Sequence, residues 1–293
     1  QPIINLRGEG EEHYEAFVRM LNKDNEEVSP YDFLPPVGPS EMAIKIDRWV
    51  ILQTIKQLSS HRSRGHDTRL FLNVTAETLE DKTFTPWLSV ALKAARLPGD
   101  SLIFQIREGD ANNYMKQAKE FAKAVHELHC KVSICQFGCA LNPFNTLKHI
   151  DVDYVKIDGS FTEELQKKDD AKEEVKEMVK SLQSAGKLTI VPLVENASVL
   201  ATLWQAGVNY IQGYYLQAPV PEMNYDFGDP RRIARHSPPM PRVLLPFPGL
   251  QTVAFPEPDQ VEDRIQPQRR NRMPGGFLDQ GLGPKSHPEP RLA

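Results

Sequence analysis

The residues with the chemistry of a binding site stand where short apolar runs end. Asn73 closes Leu70-Phe71-Leu72-Asn73, Gln105 and Glu108 follow Leu102-Ile103-Phe104, and Cys135 with Gln136 follows Val132-Ser133-Ile134. Lys156 and Asp158 share the run Tyr154-Val155-Lys156-Ile157-Asp158, Pro192 and Glu195 follow Leu188-Thr189-Ile190-Val191, and Gln212 follows Tyr210-Ile211. Brought together, amides, one lysine and a few carboxylates would supply donors and acceptors for a small anionic ligand. A divalent metal asks for more, because magnesium is held by converging carboxylate and water oxygens. Cys130, Cys135 and Cys139, with His126 and His129, invite a zinc reading. Their spacing matches no compact zinc pattern, and buried free thiols describe them better.

Those positions need a frame, and the apolar periodicity supplies one. Helical stretches are expected over 40–60, 87–97, 112–128, 171–185 and 197–206, each leading into one of the apolar runs. Strands that are apolar throughout and separated by helices are buried on both faces, which means a parallel sheet. Repetition of that unit over residues 1–229 predicts an α/β fold, a modified TIM-type (β/α)8 barrel, in which functional residues sit at the C-terminal ends of the strands.

Composition narrows the setting. The 293 residues carry a formal charge of -4, with 40% apolar and 25% charged residues. The absence of a clustered basic face before residue 230 argues against nucleic acid as a partner. No apolar run is long enough for a membrane span, so no membrane insertion is expected, and three cysteines suit a reducing, cytoplasmic compartment. Residues 230–293 hold more than half of the chain's 24 prolines, among Arg and Gly, and are expected to form a flexible tail. Gln1 opens directly on the strand-like run Pro2-Ile3-Ile4-Asn5-Leu6, as in a fragment of a longer protein.

In order and spacing these residues resemble the EAL family of cyclic di-GMP phosphodiesterases, over about residues 1–230. Its opening Gln-Pro-Ile matches Gln1-Pro2-Ile3, and its Glu-Ala-Leu-x-Arg signature matches Glu15-Ala16-Phe17-Val18-Arg19. Its Leu-Asp-Arg-Trp-Val element resembles Ile46-Asp47-Arg48-Trp49-Val50, Asn73 stands for the asparagine of its second strand, and Lys156-Ile157-Asp158 and Gln212-Gly213-Tyr214 are intact, with Pro219 after them. The departures fall on acidic positions: Gln105 replaces a metal-binding glutamate, Cys135-Gln136 replace the paired aspartates, and Pro192 replaces a further glutamate. The resemblance therefore implies a domain that has kept nucleotide contacts and lost metal-based hydrolysis, as in the FimX-type EAL receptors. It implies no catalytic residue, no metal and no cofactor, with cyclic di-GMP as ligand. The expected ligand contacts are Gln1, Pro2, Glu15, Phe17, Arg19, Asp47, Asn73, Lys156, Asp158, Glu195, Gln212 and Pro219. Arg19 would meet a phosphate, Asp47 and Glu195 the guanine edges, and Pro2, Phe17 and Pro219 the base faces. The same resemblance implies a PilZ-domain adaptor as partner, type IV pilus assembly and twitching motility as the process, and signalling domains upstream in a longer chain. Two alternatives remain open at the level of sequence: a weak phosphodiesterase with a rearranged metal site, and an interaction scaffold that binds no nucleotide.

Overall fold

The computed structural model describes residues 1–8, 12–21, 27–28, 40–167 and 171–228. The expected tail, 230–293, lies outside the described residues. Eight strands close a barrel: β1 (Pro2–Asn5), β2 (Glu12–Ala16), β5 (Thr68–Asn73), β6 (Leu102–Arg107), β7 (Lys131–Phe137), β8 (Tyr154–Ile157), β9 (Leu188–Val191) and β10 (Tyr210–Ile211). The pair β3 (Met20–Leu21) and β4 (Glu27–Val28) forms a separate two-stranded ribbon. The helices are α1 (Ser40–Arg62), α2 (Ala76–Glu80), α3 (Phe84–Ala95), α4 (Glu108–Asn113), α5 (Met115–Glu127), α6 (Pro143–His149), α7 (Gly159–Lys167), α8 (Ala171–Ser184) and α9 (Leu200–Ala206).

The expected barrel is present, with one correction to the parallel sheet. β1 runs antiparallel to both of its neighbours, β2 and β10, while the other pairings of the barrel are parallel. The cause is local: β1 is joined to β2 by a short connection, which suits a hairpin, whereas a parallel partner would need a crossover of a dozen or more residues. The stretch expected as one helix over 112–128 is two, α4 and α5, meeting at Tyr114, whose backbone leaves helical values.

Two layers of apolar side chains explain why the sheet closes here. Leu70, Leu72, Leu102, Phe104, Val132 and Ile134 pack outward under the helices, in one cluster with Phe84, Phe121 and Val125. Ile3, Phe71, Ile103, Tyr154, Ile190 and Tyr210 form a second, separate cluster that fills the barrel interior. His13 lies against the rings of Phe71, Tyr154 and Tyr210 in that interior. Side chains two residues apart share a face of a strand. Two steps on from this plug, the same inward face presents Glu15, Asn73, Gln105, Lys156, Pro192 and Gln212. The polar mouth of the barrel is thus one layer of its interior, held in register by the hydrophobic layer beneath it.

Candidate functional site

Glu15 organises the mouth. It is buried, 6% exposed, and both of its oxygens accept hydrogen bonds from side chains of four other strands or strand ends. Oε1 accepts from Asn73 Nδ2 at 3.1 Å and from Gln105 Nε2 at 2.6 Å. Oε2 accepts from Lys156 Nζ at 2.6 Å and from Gln212 Nε2 at 2.6 Å. Burial alone would raise the pKa of this carboxyl; the Lys156 ammonium and the amide donors outweigh it and hold Glu15 below the ordinary glutamate value. The carboxylate also fixes Gln105, because turning its amide over would set one oxygen against another; Nε2 then lies 3.3 Å from Asn73 Oδ1 as well.

Around this network opens a cleft of about 550 Å³. Among the expected contacts, Gln1, Glu15, Phe17, Asn73, Lys156, Asp158 and Gln212 line it, joined by Arg107, Cys135, Gln136, Pro192 and Tyr214. Asp158 sits at the start of α7, where its Oδ1 accepts from the backbone N–H of Ser160 at 3.0 Å. Arg19 stands beside the cleft, its guanidinium 5.5 Å from the centre of the Phe17 ring. Pro2 is buried in the β1–β2 hairpin opposite Tyr14, Glu195 is exposed beyond β9, and Pro219 is half-buried.

Asp47 also has a structural task. Its carboxylate is buried, and Oδ2 accepts from Thr75 N at 2.8 Å, Thr75 Oγ1 at 2.7 Å and Thr78 Oγ1 at 2.6 Å. It ties α1 to the turn between Asn73 and α2, which positions Asn73. Burial raises its pKa despite those donors. Glu108 has a comparable task that the sequence did not disclose. Its Oε2 accepts from the backbone N–H groups of Gly138, Cys139 and Ala140 at 3.2, 3.1 and 3.1 Å, and so pins the β7–α6 loop.

Two close approaches shape the rim. A side chain at Gly213 would place Cβ 2.1 Å from the Val194 carbonyl oxygen, so only glycine lets the Gln212 turn pack on the strand end after β9. Gln136 and Leu193 hold left-handed backbone, φ 54° and 55°, at the cleft wall. For residues with a side chain this is sparsely populated, and such strain gathers at functional sites. Of the cysteines, Cys130 and Cys135 are buried as expected, whereas Cys139 is exposed. Burial pushes the Cys135 thiol up to about 12, so it faces the cleft as a neutral group.

The EAL domain model matches residues 1–219. The chain belongs to the EAL domain family. This EAL domain resembles the FimX EAL domain of Pseudomonas aeruginosa, solved bound to cyclic di-GMP, at 52% identity and a TM-score of 0.73, covering 78% of this chain and 91% of that one. The FimX EAL domain of Xanthomonas citri, also in complex with cyclic di-GMP, is 32% identical with a TM-score of 0.71, covering 78% and 89%. The cyclic di-GMP phosphodiesterase PdeF of Escherichia coli is 28% identical over 221 residues, which is 75% of this chain and 29% of PdeF. The chain thus spans under a third of that curated relative.

Hydrolytic EAL domains use divalent metal, and the residues present here do not fit it. Glu15 is the one carboxylate of the inward-facing layer, and N–H donors already engage both of its oxygens, two of them from Gln105 and Lys156 at 2.6 Å. A divalent ion there would meet an ammonium and amide N–H groups that repel it, a thiol at Cys135, and Pro192, which has no donor atom in its side chain. Among the described residues, the mouth holds no group of three His, Cys, Asp or Glu side chains that converge as metal ligands.

Proposed function

We propose that this EAL domain is a cytoplasmic receptor for cyclic di-GMP that binds the nucleotide without a metal, leaves it intact and acts by protein contact. The observation that carries the reading is the saturation of Glu15 by Asn73, Gln105, Lys156 and Gln212. In-line attack at phosphorus needs an activated water and a counter-charge for the leaving oxygen, and metals supply both in two-metal sites. Here the equivalent space is a closed network of hydrogen bonds with its charges neutralised internally, so Glu15 does not stand ready to deprotonate water. Lys156 is committed to Glu15.

Binding asks for less. A cyclic dinucleotide offers two flat bases and two phosphates. The Phe17 ring with the Arg19 guanidinium over it combines an apolar face with a fork of donors for phosphate. The likeness to two FimX EAL domains solved with cyclic di-GMP supports this ligand. The proposal extends to a PilZ-domain adaptor as partner and a place in type IV pilus biogenesis and twitching motility, which the resemblance in sequence implies.

The test is turnover. Cyclic di-GMP incubated with the domain and magnesium or manganese, then recovered by chromatography, is expected unchanged; appearance of the linear dinucleotide would overturn the reading. Coelution of a PilZ-domain protein with the domain only when the nucleotide is present would support the partner, and nucleotide-independent coelution would replace it with a scaffold.

A further inference from the structure

We propose that Glu12, His61 and His66 form a binding site for a zinc-class divalent transition-metal ion, at the end of the barrel away from the polar mouth. Glu12 opens β2, His61 lies in the last turn of α1, and His66 stands in the connection to β5. Folding brings them together because Glu12 pairs in register with Thr68, the first residue of β5, two positions after His66.

The ligand atoms converge from three segments. Glu12 Oε1 is 2.9 Å from His66 Nδ1, Glu12 Oε2 is 3.5 Å from His61 Nε2, and the three groups offer ligand atoms within 4.8 Å of one another. The two imidazoles stack, with centroids 3.9 Å apart and planes 17° from parallel. Tetrahedral zinc with bonds of about 2.0–2.1 Å separates its ligand atoms by about 3.3 Å and lies in the plane of each imidazole, so loading requires a contraction of the cluster and a turn of the His66 ring out of the stack. Glu12 and His66 are partly exposed and free to make it, whereas His61, 2% exposed, is fixed by packing. The four residues between His61 and His66 also fall within the spacing common for paired zinc histidines.

Two observations point to a ligand rather than to a chance meeting. His61 Nε2 is a buried polar atom that makes no well-formed hydrogen bond and faces the Glu12 carboxylate, with Oε2 at 3.5 Å. Glu12 Oε2 is held from behind by the Thr68 hydroxyl at 2.5 Å, which is the kind of outer contact that orients a metal-binding carboxylate. Two imidazoles and one carboxylate prefer zinc, copper or nickel over magnesium, and a water would complete the fourth position.

Without metal, Arg64 Nη2 lies 3.1 Å from His61 Nδ1 and donates to it, which places the ring proton on Nε2. Loading requires the other tautomer: Nε2 gives up its proton and binds the metal, Nδ1 takes a proton, and the exposed Arg64 turns to solvent. No proton is gained or lost by His61 in the exchange. The bound ion would clamp the end of α1 and the following turn to β2, far from the nucleotide cleft.

The experiment is zinc titration of the metal-free chain by calorimetry, with cobalt as a spectroscopic probe of tetrahedral geometry and melting temperature as a second readout. One zinc per chain is expected to bind and raise the melting temperature, while magnesium does neither. His66→Ala and Glu12→Gln each weaken zinc by about tenfold or more. Arg64→Met, which removes the competing donor and leaves the ligands in place, tightens it, and His126→Ala leaves it unchanged. The proposal is overturned if zinc does not bind, if binding survives both His66→Ala and Glu12→Gln, or if Arg64→Met weakens it.

Discussion

Replacing Lys156 by methionine isolates what the mouth network does. The Lys156 side chain is 8% exposed and that of Glu15 6%, with Nζ 2.6 Å from Oε2. Methionine keeps the length of the side chain and removes the charge. Glu15 is then an uncompensated buried carboxylate, still supported by Asn73, Gln105 and Gln212 but by no cation. Breaking one side of a buried ion pair costs about 3–5 kcal/mol, and the amide donors that remain place this case near the lower end. For a domain of this size 1 kcal/mol corresponds to about 2–4 °C, so a fall of roughly 10 °C in melting temperature is expected at pH 7. The dependence on pH has a definite sign. In the parent, Glu15 is depressed below 4.5, so its contribution is present above that value and lost as pH falls through the folded pKa. In the variant, burial dominates and raises Glu15, so the deficit is largest at neutral pH and shrinks on acidification. Denaturant melts from pH 7.5 to 5 measure this directly. Adding Glu15→Gln to Lys156→Met should recover most of the loss, since replacing both partners removes the stranded charge. A deficit under 1 kcal/mol, or one that does not shrink as pH falls, would refute the account of the network.

Further outcomes follow from other contacts. Gly213→Ala forces Cβ against the Val194 backbone at 2.1 Å, and overpacking of this kind should cost about 1–3 kcal/mol by chemical denaturation. Asp47→Ala removes the acceptor of Thr75 and Thr78; the expected result is a loss of about 2 kcal/mol and faster amide exchange across 74–78. Burial lowers the His13 pKa from 6.5 to about 4, so stability is full above pH 6.5 and is lost as pH falls toward 4, by about 3 kcal/mol. His13→Phe should flatten that part of the stability profile.

Much of this was legible in the residues because one periodicity governs both layers. The runs Leu102-Ile103-Phe104 and Tyr154-Val155 announce strands buried on both faces, and the polar residue two steps beyond an inward apolar one is bound to lie at the barrel mouth. Asn73, Gln105, Lys156 and Gln212 were readable in this way. The antiparallel β1 was not, since the short run Pro2–Asn5 carries no sign of direction; only the length of the connection to β2 does. The structural task of Asp47 was hidden, because its position in a motif does not reveal which side of α1 meets Thr75 and Thr78. Glu108 was read as a strand-end residue without a task, because its partners are backbone N–H groups, which leave no trace in side-chain identity. Glu12, His61 and His66 come together through the β2–β5 register, and the spacing of the two histidines was the available signal.

The central claim is that the nucleotide site works without metal. Isothermal titration of cyclic di-GMP into the domain, once in EDTA and once in magnesium, tests it most directly. The account predicts saturable binding with the same affinity in both, because no described group in the cleft gathers a metal for the ligand to meet. Binding that vanishes in EDTA and returns with magnesium would contradict it, and would mean that Glu15 is released from its four donors when the nucleotide arrives.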